Sequence, residues 1–145
     1  MSPSTIFQVC NSLALLSWLL LIIASPLIKN LDKLLIGVVI LLLCLVYASL
    51  VVASIHPNDL RNFSSLEGVM NLFKNETVVA AGWTHYLAFD LMTGIWIRKN
   101  AERHRISYGL VLPCLVFTFM LGPVGLLLYL LIRMVTTKKL FAENY

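Results

Sequence analysis

LLIGVVILLLCLVYASLVVASI, residues 34–55, is a run of 22 residues without a charged side chain. At 1.5 Å per residue, a helix of about 20 residues crosses a hydrocarbon core of ~30 Å, so the stretch reads as a membrane span. On either side of it, residues 6–28 form a second uncharged run and 106–132 a third, of 27 residues. Residues 78–97 form a fourth apolar run, interrupted by His85 and Asp90. None of these runs shows the ten-residue alternation of a barrel strand, and each reads as helix.

Composition agrees. Of 145 residues, 59% are hydrophobic and 12% charged, and the mean hydropathy is +0.87. A soluble domain carries roughly 25% charged residues, so a soluble enzyme and a nucleic-acid-binding domain are both excluded. The expected fold is an all-α integral membrane protein, a four-transmembrane-helix bundle forming one domain over 1–145, with spans about 6–28, 34–55, 78–97 and 106–132. The first run lacks the basic leader and small-residue cleavage site of a signal peptide and is expected to stay in the mature protein.

The links carry the remaining polarity. Lys29 to Lys33 and Arg98 to Arg105 are short turns that make antiparallel hairpins. The longer link opens with His56-Pro57-Asn58-Asp59, which stops a helix because proline cannot continue one. Ser64 and Glu67 then have the spacing of a capping box, and Leu66, Val69, Met70 and Phe73 recur at i, i+3, i+4, i+7. A short amphipathic interfacial helix over about 65–73 follows, lying on the membrane or closing over the bundle. Four crossings return both termini to one face. They leave six Lys or Arg in the turns after spans one and three and five on the other side. The density of four in Arg98 to Arg105 places that turn in the cytoplasm.

Asp90 is the one carboxylate inside an expected span. An ionised carboxylate near the bilayer centre costs about 3 kcal/mol, so it should face the interior and pair with a neighbouring helix or exchange a proton with a ligand. On a helical projection Trp83, Tyr86, Asp90, Gly94 and Ile97 share a face, while His85 joins Phe89, Met92 and Trp96 about 140° away. His85 and Asp90 are thus ~7.5 Å apart along the axis on different faces, where they flank one ligand or serve separate helix contacts. Pro113 and the Gly122-Pro123-Val124-Gly125 element free the carbonyls of Gly109 and Phe119, so the last run is expected to be kinked or broken twice. Small residues Ala80, Thr84 and Ala88, and Gly37, Cys44 and Ala48, mark faces for close helix packing. Cys10, Cys44 and Cys114 stand singly in separate runs, which indicates neither a disulfide framework nor a metal site.

Several separated motifs carry a likeness. They are Phe63-Ser64-Ser65-Leu66-Glu67-Gly68-Val69 with Leu72-Phe73, then Ala81-Gly82-Trp83-Thr84-His85-Tyr86-Leu87-Ala88-Phe89-Asp90-Leu91 with Gly94 and Trp96, then Leu112-Pro113-Cys114 through Thr118-Phe119 to Gly122-Pro123-Val124-Gly125-Leu126 and Tyr129. In these motifs the chain resembles the abscisic-acid-deficient-4-like family, the membrane proteins related to plant neoxanthin synthase. The resemblance implies xanthophyll chemistry, the conversion of an epoxide into an allene without net oxidation. Such a reaction needs a proton at the epoxide oxygen and a base at the neighbouring carbon, tasks suited to His85 and Asp90. Without a plastid transit segment, the chain looks like a non-plastid member in a bacterial inner membrane.

The expected catalytic residues are therefore Asp90 and His85. Trp83, Tyr86, Phe89, Trp96, Pro113, Gly122 and Pro123 are expected around a carotenoid or similar isoprenoid, if the chain is an isomerase. A non-catalytic binder or assembly factor for a lipid, quinone or pigment, and a small transporter or scaffold, are the alternatives. No cofactor, metal or nucleic acid is expected; membrane lipid is the expected partner, and a homo-oligomer is compatible with the sequence.

Overall fold

Each apolar run is helical in the computed structural model, which describes residues 1–25, 27–28 and 30–138. The helices are α1 (Pro3–Ala24), α2 (Leu31–Ser54), α3 (Leu66–Leu72), α4 (Glu76–Arg103), α5 (Tyr108–Leu121) and α6 (Pro123–Thr137). There is no strand among the described residues. The last turns of α1, Leu20–Ala24, and an early stretch of α2, Leu35–Ile40, widen to π geometry. Two of the described helices, α1 and α2, are long and apolar enough to cross a membrane. The polar His85 and Asp90 dilute the apolar character of α4, which is longer still at 28 residues.

The chain forms two compact units, one of residues 1–16 and 34–89 and the other of residues 17–33 and 90–145. In the first, Leu50 of α2 packs on Ala80 and Ala81 of α4, with Ile6, Val46, Tyr47 and Val51 around them. Ala80, Thr84 and Ala88 are all buried, so this row of small residues lies inward as its spacing suggests. The row on α2 does not: Gly37, Cys44 and Ala48 are exposed, and the buried face is Leu35, Val39, Leu43 and Leu50. Bulk rather than smallness fills that contact.

The link between α2 and α4 departs from its expected form in two respects. Residues Pro57–Ser64 make a 3-10 helix, entered through Asp59, whose carboxylate accepts the His56 amide at 2.9 Å. The cap of α3 is Ser65, which accepts from the Gly68 amide at 3.1 Å, and not Ser64, whose hydroxyl is donated to the Arg61 carbonyl at 2.7 Å. Leu66 and Met70 are 77% and 62% exposed, and the buried side is Gly68 and Leu72. Gly68 sits directly on the Asn62 backbone, where any β-carbon would collide. The apolar stripe thus faces outward, as an interfacial helix requires.

In the second unit the run 106–132 is not one helix. It breaks once, at Gly122, whose φ of 50° and ψ of −102° suit glycine alone. Pro123 follows as the first residue of α6, where its missing amide hydrogen costs nothing. Pro113, the other expected break, lies inside an uninterrupted α5. Gly125 lies directly against the Thr118 amide and hydroxyl and the Cys114 carbonyl. In a straight helix residues 114 and 125 would be about 16 Å apart, so α6 folds back along α5. Of 14 and 15 residues, these helices are about 21 and 22 Å long, short of a ~30 Å core. The single helix expected over 106–132 is thus a hairpin of two helices.

Gly125→Ala should lower stability by about 1–3 kcal/mol, the usual cost of overpacking. Gly37, with nothing within 4 Å of a β-carbon, should accept alanine with no loss, since alanine favours helix by up to about 1 kcal/mol. Thermal unfolding in one detergent compares the two.

Candidate functional site

The tip of the hairpin rests on Asp90. A β-carbon on Gly122 would stand 2.9 Å from Asp90 Oδ1 and 3.0 Å from Oδ2. Two features of the sequence meet here: the carboxylate in the middle of α4 and the glycine break that reverses the chain. The carboxyl is half-buried, with its Oδ2 shielded from solvent. One turn along α4, Gly94 leaves room for the Trp18 indole and the end of Leu21. Trp18 in turn meets Phe119 of α5 with ring centroids 5.5 Å apart. A glycine on each side of the carboxylate thus allows a bulky aromatic pair and a backbone turn to approach it.

His85 has different neighbours. It is exposed, and its ring stacks on Phe89 at 4.6 Å and Tyr47 at 5.3 Å within the first unit. Trp83 belongs to a second aromatic group, 5.3 Å from Tyr86 and 5.5 Å from Phe7, with its indole nitrogen donating to Asn11 at 3.1 Å. Of the expected residues, Asp90 and Gly122 are brought together directly. Pro123 is exposed at the tip and Pro113 half-buried within α5. Trp96 meets Tyr129 of α6 edge-on at 5.7 Å.

Below the tip lies a polar cluster that the sequence reading leaves out. Tyr129 donates its hydroxyl to Asn100 Oδ1 at 2.6 Å, and Arg133 Nη1 reaches the same oxygen at 3.5 Å. All three residues are buried. Asn100 and Arg133 lie just outside the apolar runs, where their type suggests solvent, and only the reversal at Gly122 brings them together. The end of α4 is further fixed by Arg98, which donates to Ser25 Oγ at 3.1 Å and lies over the Tyr108 ring at 5.4 Å. Lys99 pairs with Asp32 at 2.9 Å, and Tyr108 donates its hydroxyl to the Ile22 carbonyl.

Residues 5–129 match the family described as ABA DEFICIENT 4-like. The chain belongs to this family. The matched range takes in Asp90, Asn100, Gly122 and Tyr129, while Arg133 lies beyond it. Neither the curated proteins nor the solved structures offer a match to the chain. As for chemistry, Asp90 can accept or donate a hydrogen bond at the hairpin tip. Among the described residues no group of three or more His, Cys, Asp or Glu is placed to hold a metal ion.

A double-mutant cycle tests the contact at the tip. Gly122→Ala should be strongly destabilising, and Asp90→Ala should relieve part of that cost, with a coupling of about 1 kcal/mol. Strictly additive unfolding energies would mean that the two residues do not touch.

Proposed function

We propose that this member of the ABA DEFICIENT 4-like family is a multi-pass membrane protein that binds a carotenoid, or an isoprenoid of similar shape, with Asp90 at the ligand's polar end. The observation that carries the reading is Asp90 against Gly122 in the middle of α4. A carboxylate held at the tip of a chain reversal, beside the aromatic pair Trp18 and Phe119, offers one polar contact in an apolar setting. Pockets for apolar ligands have that character. The resemblance of its motifs to the membrane proteins related to plant neoxanthin synthase supports an isoprenoid as the ligand class.

The same reading sets the path through the membrane. Helices α1, α2 and α4 cross, and α5 and α6 enter and leave on the face where α4 ends. Irregular backbone at membrane depth is tolerated when protein buries it, as the Asp90 and α4 contact does for Gly122. The termini then lie on opposite faces. The charge distribution favours this arrangement, which puts seven described Lys or Arg (Lys33, Arg98, Lys99, Arg103, Arg105, Arg133, Lys138) on the face where α4 ends and two, Arg61 and Lys74, on the other. Four complete crossings divide the basic residues almost evenly, whereas the hairpin gathers them on one side, which the positive-inside rule assigns to the cytoplasm.

Reporter fusions at Met1 and Tyr145 should give opposite-side signals, with Tyr145 cytoplasmic. Same-side signals would restore four crossings. For the ligand, protein purified in mild detergent should carry a polyene detectable by absorbance and mass spectrometry. Asp90→Asn should weaken its retention by about 1 kcal/mol if the carboxyl only binds, and should abolish turnover with retention intact if it exchanges a proton. His85→Ala, stacked elsewhere, should change neither by more than a few-fold. Loss of no ligand and no activity in Asp90→Asn would remove this site.

A further inference from the structure

In the first unit, one flank of α4 is taken by α1, where Trp83 meets Phe7 and donates to Asn11. The other flank faces outward. There His85, exposed, stacks on Tyr47 of α2 at 5.3 Å and on Phe89 at 4.6 Å. Among the described residues, neither the His85 nitrogens nor the Tyr47 hydroxyl has a hydrogen-bond partner. We propose that this patch is the contact surface for a second copy of the chain, packed about a two-fold axis, with His85 of each copy accepting from Tyr47 of the other. The proposal rests on the membrane path drawn above for α2 and α4, and on no part of the ligand reading.

Depth makes these groups costly. Counted along the helix axes, His85 lies about 14 Å from the start of α4 and Tyr47 about 10 Å from the end of α2. No water reaches that level of a bilayer, so polar side chains there turn towards protein that can satisfy them. A lipid acyl chain offers no hydrogen bond, and a headgroup stays at the level of the helix ends.

A second copy supplies what the first lacks. A neutral imidazole has an acceptor nitrogen and a phenol has a donor hydroxyl, so the patch is complementary to itself, as an isologous contact requires. A two-fold axis along the membrane normal keeps every residue at its own depth, and the stacked rings of His85 and Tyr47 already share one. Facing copies then set α2 of each against α4 of the other, which brings the two groups together twice. Cys44 and Ala48, one turn apart on α2 beside Tyr47, are exposed and small. Small residues let a neighbouring helix approach closely, and histidine is among the side chains that hydrogen-bond across helices in membranes. Phe89, 61% exposed, provides the apolar contact around those bonds.

Cross-linking through Cys44 tests this, because Cys10 and Cys114 are buried and can be replaced by alanine while Cys44 is exposed. In vesicles at a low protein-to-lipid ratio, a short bismaleimide should join two copies of the full chain. A single cysteine at the exposed Val9 of α1, made by Val9→Cys with all three native cysteines replaced, should not be joined. His85→Phe and Tyr47→Phe keep the stacked rings, and each removes both equivalent bonds, so association should weaken about tenfold. Ala48→Leu should block it by bulk. A chain that stays monomeric, cross-linking as efficient at position 9 as at Cys44, or cross-linking undiminished by all three substitutions would overturn the proposal. Loss of a bound polyene from a monomeric His85→Phe chain would also overturn it, by assigning the patch to the ligand. The reporter fusions at Met1 and Tyr145 check insertion separately, so a failed cross-link in an inserted chain counts against the interface alone.

Discussion

The reversal of the chain at Gly122 governs the second unit, because it decides how far α5 and α6 reach and which residues of α4 they meet. A helix passing straight through this point would be 30 residues long and would carry Tyr129 and Arg133 away from Asn100. Three local features make the turn. Gly122 tolerates a positive φ, Pro123 begins a helix without needing an amide hydrogen, and Gly125 lets two backbones approach closely. The Asp90 carboxylate of α4 stands against Gly122 at the turn. The turn's own amides are used within it, Gly122 donating to the Thr118 carbonyl at 2.9 Å and Gly125 to the Gly122 carbonyl at 3.1 Å.

From this follows a division of labour along α4. Its first half packs through small side chains, Ala80, Ala81 and Thr84, which allow close helix contact. Its second half carries polar contacts in sequence: Asp90 at the turn, Arg98 with Ser25 just after α1, Lys99 with Asp32 in the first turn of α2, and Asn100 with Tyr129 and Arg133. Hydrogen bonds between helices contribute modestly in a membrane, of order 1 kcal/mol each. Their value here is positional, since the bonds of Asn100 with Tyr129 and Arg133 fix α6 at one height on α4.

Much of the fold was legible in the sequence, and the failures have identifiable causes. Uncharged runs of 20 or more residues specify helices because the backbone must be satisfied internally, and those helices formed. The face of α4 that includes Asp90 and Gly94 was readable from a 100° projection. What projection cannot supply is the direction of the chain after a break: Gly122-Pro123 signals an interruption, and both a kink and a complete reversal satisfy it. Hydropathy is equally blind here, since Leu126 to Ile132 is apolar in either geometry. Ser64 and Ser65 illustrate a smaller ambiguity. Adjacent serines can each cap, and the choice depended on Gly68 fitting against Asn62, a contact no spacing rule contains. The same blindness hid Asn100 and Arg133, each of which looks like the polar margin of an apolar run until the hairpin joins them.

A distance between spin labels on α5 and α6 tests the reversal most directly. Leu112 and Leu131 are both exposed and accept a label without disturbing the core, once Cys10, Cys44 and Cys114 are replaced by alanine. Packed antiparallel helices have axes about 8–10 Å apart, so electron paramagnetic resonance on the reconstituted protein should give a short separation, roughly 10–20 Å with the label arms included. A continuous helix would separate the two positions by about 28 Å along its axis, and a distance in that range would contradict the hairpin.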